Sequence, residues 1–240
     1  MAGTFIKGAL VEFMQTFLVP LPNVIVFQFN PETMTHTWTQ PAPDAAARQG
    51  EQSNPLAVKG VPGESFSFTL AMDAGDLIAR GSPVVAGLAS VSGVYTRLAA
   101  LEMLQYPVPA PTGGLLGTVS ASLSAGGLSV GVSASAQSGT TVPKAQLPTV
   151  LFVWGAGRIL PVRVTSLTIT EKLYDAALNP THAEAQLGLQ VLTPDELNAV
   201  TGPLAEIAKI AYTYSQGLRQ ALAAANLANA ADAILGMLPV

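Results

Sequence analysis

The fold is decided by the stretch Val150–Leu192, which reads VLFVWGAGRILPVRVTSLTITEKLYDAALNPTHAEAQLGLQVL. Near its end, apolar side chains occupy every odd position from 183 to 191, and polar side chains or glycine occupy the positions between them. A period of two is typical of a strand with one buried face and one wet face. The stretch therefore predicts a short buried strand, a turn and then a long two-stranded antiparallel hairpin.

The first arm of this hairpin changes phase along its length. Its apolar residues fall in two sets, Val162 and Val164 and then Leu167, Ile169 and Leu173. One extra residue near Thr165 and Ser166 reconciles the two sets, so we predict a β-bulge there. Residues 175–180, DAALNP, supply the turn between the arms, because Asp and Asn side chains bond the nearby backbone and proline cannot continue a ladder.

Four further strands are predicted upstream of the hairpin. Residues 24–29, 33–40 and 65–73 are rich in β-branched and aromatic side chains or alternate with a period of two. Residues 5–18 fit a strand or a helix by periodicity alone, and we favour a strand over residues 4–13 because strands follow. Pro31 ends the strand before it, since proline has no amide hydrogen to donate to a ladder.

From residue 84 to residue 105 the apolar spacing changes to three and four residues. The positions are Val91, Val94, Leu98, Leu101 and Leu104. This spacing predicts one main amphipathic helix, which Pro107 ends. The fold class that follows is mainly β with α, an antiparallel β-barrel or sandwich with one packed helix and a C-terminal helical extension.

Residues 108–148 form an insertion of unusual composition, and residues 112–141 contain no charged side chain. One interpretation is a flexible Gly/Ser linker. The other is a long ribbon whose arms lie on either side of residues 125–127, Ala-Gly-Gly. An uncharged ribbon invites edge-to-edge aggregation, so an ordered one is expected to pair with a neighbouring subunit. Residues 41–63 read as another long connection, either draped on the surface or used as an intersubunit arm.

The C-terminal part is predicted to be helical. Thr193 and Glu196 form a capping box with Pro194 at the first helical position. A second helix is expected over residues 204–225 and a short third helix over residues 227–235. These features divide the chain into a β domain, residues 1–192, and a helical extension, residues 193–240.

Composition restricts the class of protein. Charged residues make up 11% of the chain and hydrophobic residues 49%, which indicates surface that is covered in an oligomer. The net charge of −4 argues against nucleic acid as a partner. The apolar run 8–27 contains Glu12, Pro20 and Pro22, so it predicts neither membrane insertion nor a signal peptide, and we expect a cytoplasmic product.

The sequence offers little for catalysis. His36 and His182 lie in strand-like segments with no second ligand at metal-binding spacing, so we expect no metal site and interpret both as exposed strand residues. No serine lies in a Gly-x-Ser-x-Gly elbow. Gly155-Ala156-Gly157 lacks the third glycine of a dinucleotide fingerprint and is interpreted as a hairpin turn. We therefore predict a protein that is not an enzyme, with no catalytic residues and no cofactor.

Four segments carry a family resemblance when they are taken in order. They are VIVFQFNPETM (24–34), FSFTLAMD (66–73), LPTVLFVWG (147–155) and the hairpin VTSLTITEKLYDAALNPTHAEAQLGLQVL (164–192). The Phe-Asn-Pro step, the Phe-x-Trp-Gly turn and the final hairpin resemble the tube-domain family of contractile injection systems, which are phage-tail-like particles. The resemblance covers about residues 5–192.

The resemblance implies a tail-tube-like β-barrel and a structural role. It implies a homo-hexameric ring in the baseplate or hub that contacts the inner tube, the spike and baseplate or sheath proteins in a virion-like assembly. Two alternatives remain open: an adaptor at the cap end of the tube, and a peptidoglycan-binding adaptor that acts through a LysM-like tail. The tail echoes the helical half of a LysM domain in residues 204–239 but lacks its opening Gly-Asp-Thr-Leu strand.

Two groups of residues are the candidate subunit contacts. The first is the outward face of the hairpin's first arm, namely Arg163, Thr165, Thr168 and Thr170. The second is the Phe-Asn-Pro step, namely Phe29, Asn30 and Pro31. A head-to-tail ring uses two different patches on each subunit, and we expect the 41–63 arm to contribute to one of them.

Overall fold

The predicted hairpin is the centre of the structure, a computed structural model that describes residues 6–14, 21–42, 56–107, 118–124, 127–133, 147–200 and 205–237. Within these residues the strands are β1 Ala9–Met14, β2 Leu21–Val26, β3 Met34–Thr39, β4 Gly63–Asp73, β5 Thr118–Ser124, β6 Gly127–Ser133, β7 Val150–Val153, β8 Ile159–Glu171 and β9 His182–Val191. The helices are α1 Ala74–Arg80, α2 Pro83–Ser92, α3 Tyr95–Met103, α4 Pro194–Ala199 and α5 Ala205–Met237. The fold class, mainly β with α, is confirmed.

Seven strands form one antiparallel sheet in the order β2-β1-β7-β8-β9-β4-β3. The hairpin β8–β9 lies in the middle, and the register between its arms shifts between Val164 and Ser166. This confirms the predicted bulge. The turn is confirmed as well, because Asp175 Oδ1 accepts hydrogen bonds from the backbone N–H groups of Ala177 and Asn179 at 2.7 and 2.9 Å.

The sheet is curled but does not close into a barrel, so the barrel prediction is wrong. Phe152 on β7 and Phe68 on β4 are three strands apart, about 14 Å in a flat sheet, yet their ring centroids lie 5.6 Å apart. Closure would require β2 to pair with β3. Among the described residues β2 pairs only with β1 and β3 only with β4. The β1–β2 ladder ends at Phe27, whose N–H still donates to the Gly8 carbonyl at 2.9 Å, and the consecutive residues Phe27 and Gln28 are both buried.

The single helix predicted over residues 84–105 is also wrong. Helices α2 and α3 meet at a 93° bend, and α1 precedes them. The bend falls at Gly93, which has a φ of +58°, and the backbone N–H of Val94 donates a hydrogen bond to the Pro180 carbonyl at 2.9 Å. A tertiary contact with the turn of the central hairpin therefore breaks the helix, while Leu98, Leu101 and Leu104 still reach the core.

The remaining predictions have mixed outcomes. Strand β1 confirms the strand at the N-terminal end, and β5 pairs with β6 in an antiparallel ribbon. The capping box of Thr193 and Glu196 is present. Helix α5 runs unbroken to Met237, so the separate third helix is wrong, because residues 220–235 contain no glycine or proline that would end a helix. Residues 43–55 and 201–204 lie outside the described part of the chain.

Candidate functional site

Strand β8 is the longest strand of the central sheet and is exposed over much of its second half. It is 13 residues long, but β7 pairs with it only from Ile159 to Val162. If the register between β7 and β8 continued beyond Val162, Pro148 would lie opposite Val164. Proline has no N–H group with which to extend the ladder. Beyond Val162, one edge of β8 therefore has no neighbouring strand among the described residues.

The backbone groups at this edge follow from the ladder. Lys172 donates its N–H to the His182 carbonyl, on the β9 side. Because neighbouring residues of a strand direct their N–H and C=O groups to opposite sides, Leu167, Ile169 and Glu171 direct theirs to the open edge. Residues 164–170, VTSLTIT, carry no charge. Natural proteins protect open edges with charges, prolines or covering segments, so an uncharged edge of this length is a site for strand pairing.

The first group of predicted contact residues lies on this strand. Arg163, Thr165, Thr168 and Thr170 are all exposed. Thr165 is the residue of the bulge, and the Arg163 guanidinium donates to Gln190 Oε1 with an Nη2–Oε1 distance of 2.6 Å. Their contact with another subunit stays a prediction.

The second group, Phe29, Asn30 and Pro31, lies in the connection between β2 and β3. Asn30 has an internal structural role, because its Oδ1 accepts from the Gly8 N–H and its Nδ2 donates to the Ile6 carbonyl, both at 2.9 Å. Phe29 remains 41% exposed. The three residues line a groove of about 910 Å³ together with residues of β4 and α1, and their contact with another subunit stays a prediction.

A buried charge cluster that sequence reasoning missed joins α5 to the sheet. Glu64 on β4 is 5% exposed, and Arg219 on α5 donates to both of its carboxylate oxygens, with an Nη1–Oε2 distance of 2.7 Å. His36 Nε2 on β3 lies 2.6 Å from Glu64 Oε1. One signal was present in the sequence, because Glu64 shares the phase of the buried Phe66 and Phe68. The cluster therefore holds α5 against the sheet.

His36 is not the exposed strand residue that we predicted. Its ring packs between Trp38 and Phe66, with centroid distances of 3.6 and 4.0 Å. Burial lowers the pKa of His36 below its usual value, although Glu64 opposes the shift. The ring is therefore held neutral near Glu64, where Arg219 already supplies the balancing positive charge.

His182 has a carboxylate neighbour as well. Its Nδ1 lies 3.3 Å from Asp73 Oδ2. Asp73 caps α1, and the hydrogen bond from the Asp76 N–H is the main reason that the pKa of Asp73 is lowered. Both Asp73 oxygens are thus occupied by structural partners.

Among the described residues, few groups that could take part in catalysis or metal binding lie near the two histidines. In the part of the chain that the structure describes, no group of three or more His, Asp and Glu side chains could hold a metal ion. No serine or threonine hydroxyl is hydrogen-bonded to either imidazole there. Residues 155–157 form the turn between β7 and β8, with Gly155 at a φ of +68°, which confirms the hairpin-turn interpretation.

Residues 220–227 of α5 form a second exposed surface. Ala208, Ala211 and Ser215 are buried against the body, and Ser215 Oγ donates to the Ile159 carbonyl at 2.7 Å. Residues 220–227 are exposed at every position. Helix α5 has 33 residues and is therefore about 50 Å long, and the exposed residues 220–227 lie beyond the part that packs on the sheet through Ser215.

No protein-family model matches this chain, and a search of curated proteins finds no match. Among the described residues, no single helix has both the length and the apolar content needed to cross a bilayer, although the bent pair of α2 and α3 reaches both together. The fold and its exposed surfaces define a mainly antiparallel β protein with open strand edges and a projecting helix.

Proposed function

We propose that this chain is a non-enzymatic structural subunit of a contractile injection system, a phage-tail-like particle. In this proposal it forms a six-fold ring in the baseplate or hub, next to the inner tube and the spike. The family resemblance of residues 5–192 suggests the particle. The observation that carries the proposal is the open, uncharged edge of β8, on which Thr165, Thr168 and Thr170 are all exposed.

Other features support an assembly role. Strands β2 and β3 are the outer strands of a curled sheet that stops short of closure, and identical copies around an axis can satisfy such edges. Only 11% of the residues are charged, and the centres of subunit interfaces are depleted of charge. Trp38 on β3 is 53% exposed, and tryptophan is enriched among residues that dominate binding energy.

The glycan-binding alternative finds no support in the tail. Residues 205–237 form one continuous helix, whereas the LysM-like alternative needs an opening strand before its helical half. We therefore propose that α5 docks on another component of the particle. A ring at the cap end of the tube stays an alternative, because its subunit contacts would be the same.

Native mass spectrometry of the purified chain and imaging of the assembled particle test the proposal. We expect the wild type to form a hexamer and Thr168→Lys to weaken self-association at least tenfold, because lysine protects strand edges. Ser90→Lys, on the exposed side of α2, is the matched control and should assemble normally. A wild type that stays monomeric at high concentration, or particles that assemble normally without this gene, would contradict the proposal.

A further inference from the structure

The β5–β6 ribbon has the same unsatisfied backbone as the open edge of β8. Its two strands are seven residues each and pair with each other as a separate two-stranded sheet. A two-stranded ribbon alone is marginally stable in water. Each of its outer edges presents a row of N–H and C=O groups without a partner strand among the described residues, so the ribbon needs a third strand.

The two edges match in length and in charge. The uncharged part of the open edge of β8 runs over seven residues, 164–170, and each ribbon strand also has seven. Residues 118–133 carry no charge, like residues 164–170. Ribbon residues are small or β-branched apart from two leucines, so the ribbon can approach closely without burying a charged group.

The chain between the ribbon and β7 permits exchange between copies. Thirteen residues, 134–146, separate β6 from Leu147, and a chain of that length spans at most about 45 Å. Leu147 precedes β7. The first residue of β7, Val150, lies opposite Val162, where the open edge of β8 begins. Among the described residues the ribbon pairs only with itself, so the edge and the ribbon are both available for pairing between copies.

We propose that the β5–β6 ribbon of one copy adds to the open edge of β8 in a neighbouring copy. Backbone hydrogen bonds to Leu167 and Ile169 supply the affinity, as in other cases of strand addition. The contact is heterologous, because ribbon and edge are different surfaces, and it therefore propagates around a ring. The inference rests on the proposed ring and names the segment that holds neighbouring copies together.

Cysteine trapping tests this directly, because the chain contains no cysteine. Purified Thr168→Cys is mixed with Ser122→Cys on β5 or with Ser129→Cys on β6, which is paired with Ser122 in the ribbon, and is then oxidised. We expect disulfide-linked dimers of the two different variants by mass spectrometry. Ser90→Cys mixed with Ser122→Cys is the control and should give none. Dimers formed only by Thr168→Cys with itself would overturn the inference, since they would indicate that two β8 edges pair.

A second variant separates this inference from the proposed ring. Replacing residues 118–133 by a short Gly/Ser linker should weaken self-association at least tenfold. The backbone amides of Leu167 and Ile169 should then exchange faster with solvent. The circular dichroism spectrum should lose only the β signal of the ribbon itself, which shows that the rest of the sheet is folded. A ribbon-free variant that still forms the hexamer would refute strand exchange and leave the ring intact. A wild type that never oligomerises would refute both.

Discussion

Arg219 on α5 and Glu64 on β4 form a bidentate ion pair across 155 residues of chain, and the Glu64 side chain is only 5% exposed. Removing the guanidinium leaves the buried carboxylate with His36 as its remaining side-chain partner and without its balancing charge. We expect Arg219→Ala to lower the free energy of unfolding by an amount near the lower end of about 3–5 kcal/mol, because Arg219 keeps 29% of its side chain exposed. Urea denaturation measures this.

The exposed pair of Lys209 and Glu206 on the same helix provides the control for that measurement. Lys209→Ala should change the stability by no more than about 1 kcal/mol. If the two substitutions lowered the free energy of unfolding equally, the buried pair would not be what holds α5 against the sheet.

Stability should depend on pH through His36. The folded protein has a pKa for His36 below 6.5, mainly because of burial, so the unfolded chain takes up the proton first. The contribution of His36 to the free energy of unfolding should therefore be complete above about pH 6.5. It should decrease as the pH falls from there towards the pKa of His36 in the folded state. Protonation adds a positive charge to a site that Arg158 and Arg219 already face.

Thermal unfolding of the wild type and of His36→Gln between pH 8 and pH 5.5 checks this expectation. The Tm of the wild type should fall further between pH 8 and pH 5.5 than the Tm of the variant. The lowered pKa values of Asp73 and Asp175 affect stability only at lower pH, around their ordinary value of 3.8 and below. Parallel Tm curves for the two proteins would exclude His36 as the titrating group.

Phe152 is the central side chain of the curled sheet. It is fully buried and packs on Phe66 and Phe68 of β4 and on Trp154. Phe152→Ala should cost about 3–5 kcal/mol, the usual cost of removing a buried phenylalanine. Chemical denaturation should show it, and the exposed Phe29→Ala should stay within about 0.5 kcal/mol. Similar losses for both variants would contradict the central position of Phe152 in the core.

Gly93 is required at the bend between α2 and α3. A Cβ atom there would lie 2.1 Å from the Pro180 carbonyl oxygen, and the φ of +58° is unfavourable for any side chain. Gly93→Ala should therefore cost at least about 1–3 kcal/mol. Gly87→Ala lies inside α2 with no atom within 4 Å of the new Cβ and should be neutral or stabilising by up to about 1 kcal/mol. A tolerated Gly93→Ala, measured by thermal unfolding, would contradict this account of the bend.

Local patterns were enough to predict much of the sheet. The alternation in β4 and β9, the bulge at Thr165, the turn at Asp175 and the capping box at Thr193 each depend on residues close together in sequence. Such features are encoded by side-chain period and by local hydrogen bonding, so they can be identified without knowledge of the rest of the fold.

The failures share a cause. The bend at Gly93 depends on Pro180, and the state of His36 depends on Glu64 and Arg219. Periodicity does not report on such distant partners, so a helix was predicted as continuous and a half-buried histidine as exposed. The ion pair was missed for the same reason, although a lone carboxylate in the buried phase of β4 was a usable signal.

The sequence by itself determined which segments become strands, which face of each strand is apolar and where the central hairpin turns, because these follow from side-chain period and local turn chemistry. Only the tertiary structure decided that the sheet curls without closing and that β8 keeps an open edge. Those outcomes depend on how Phe27, Phe68 and Phe152 pack and on the register of β7, which begins at Val150 opposite Val162. Packing and register join residues far apart in the chain, and no local pattern contains that information.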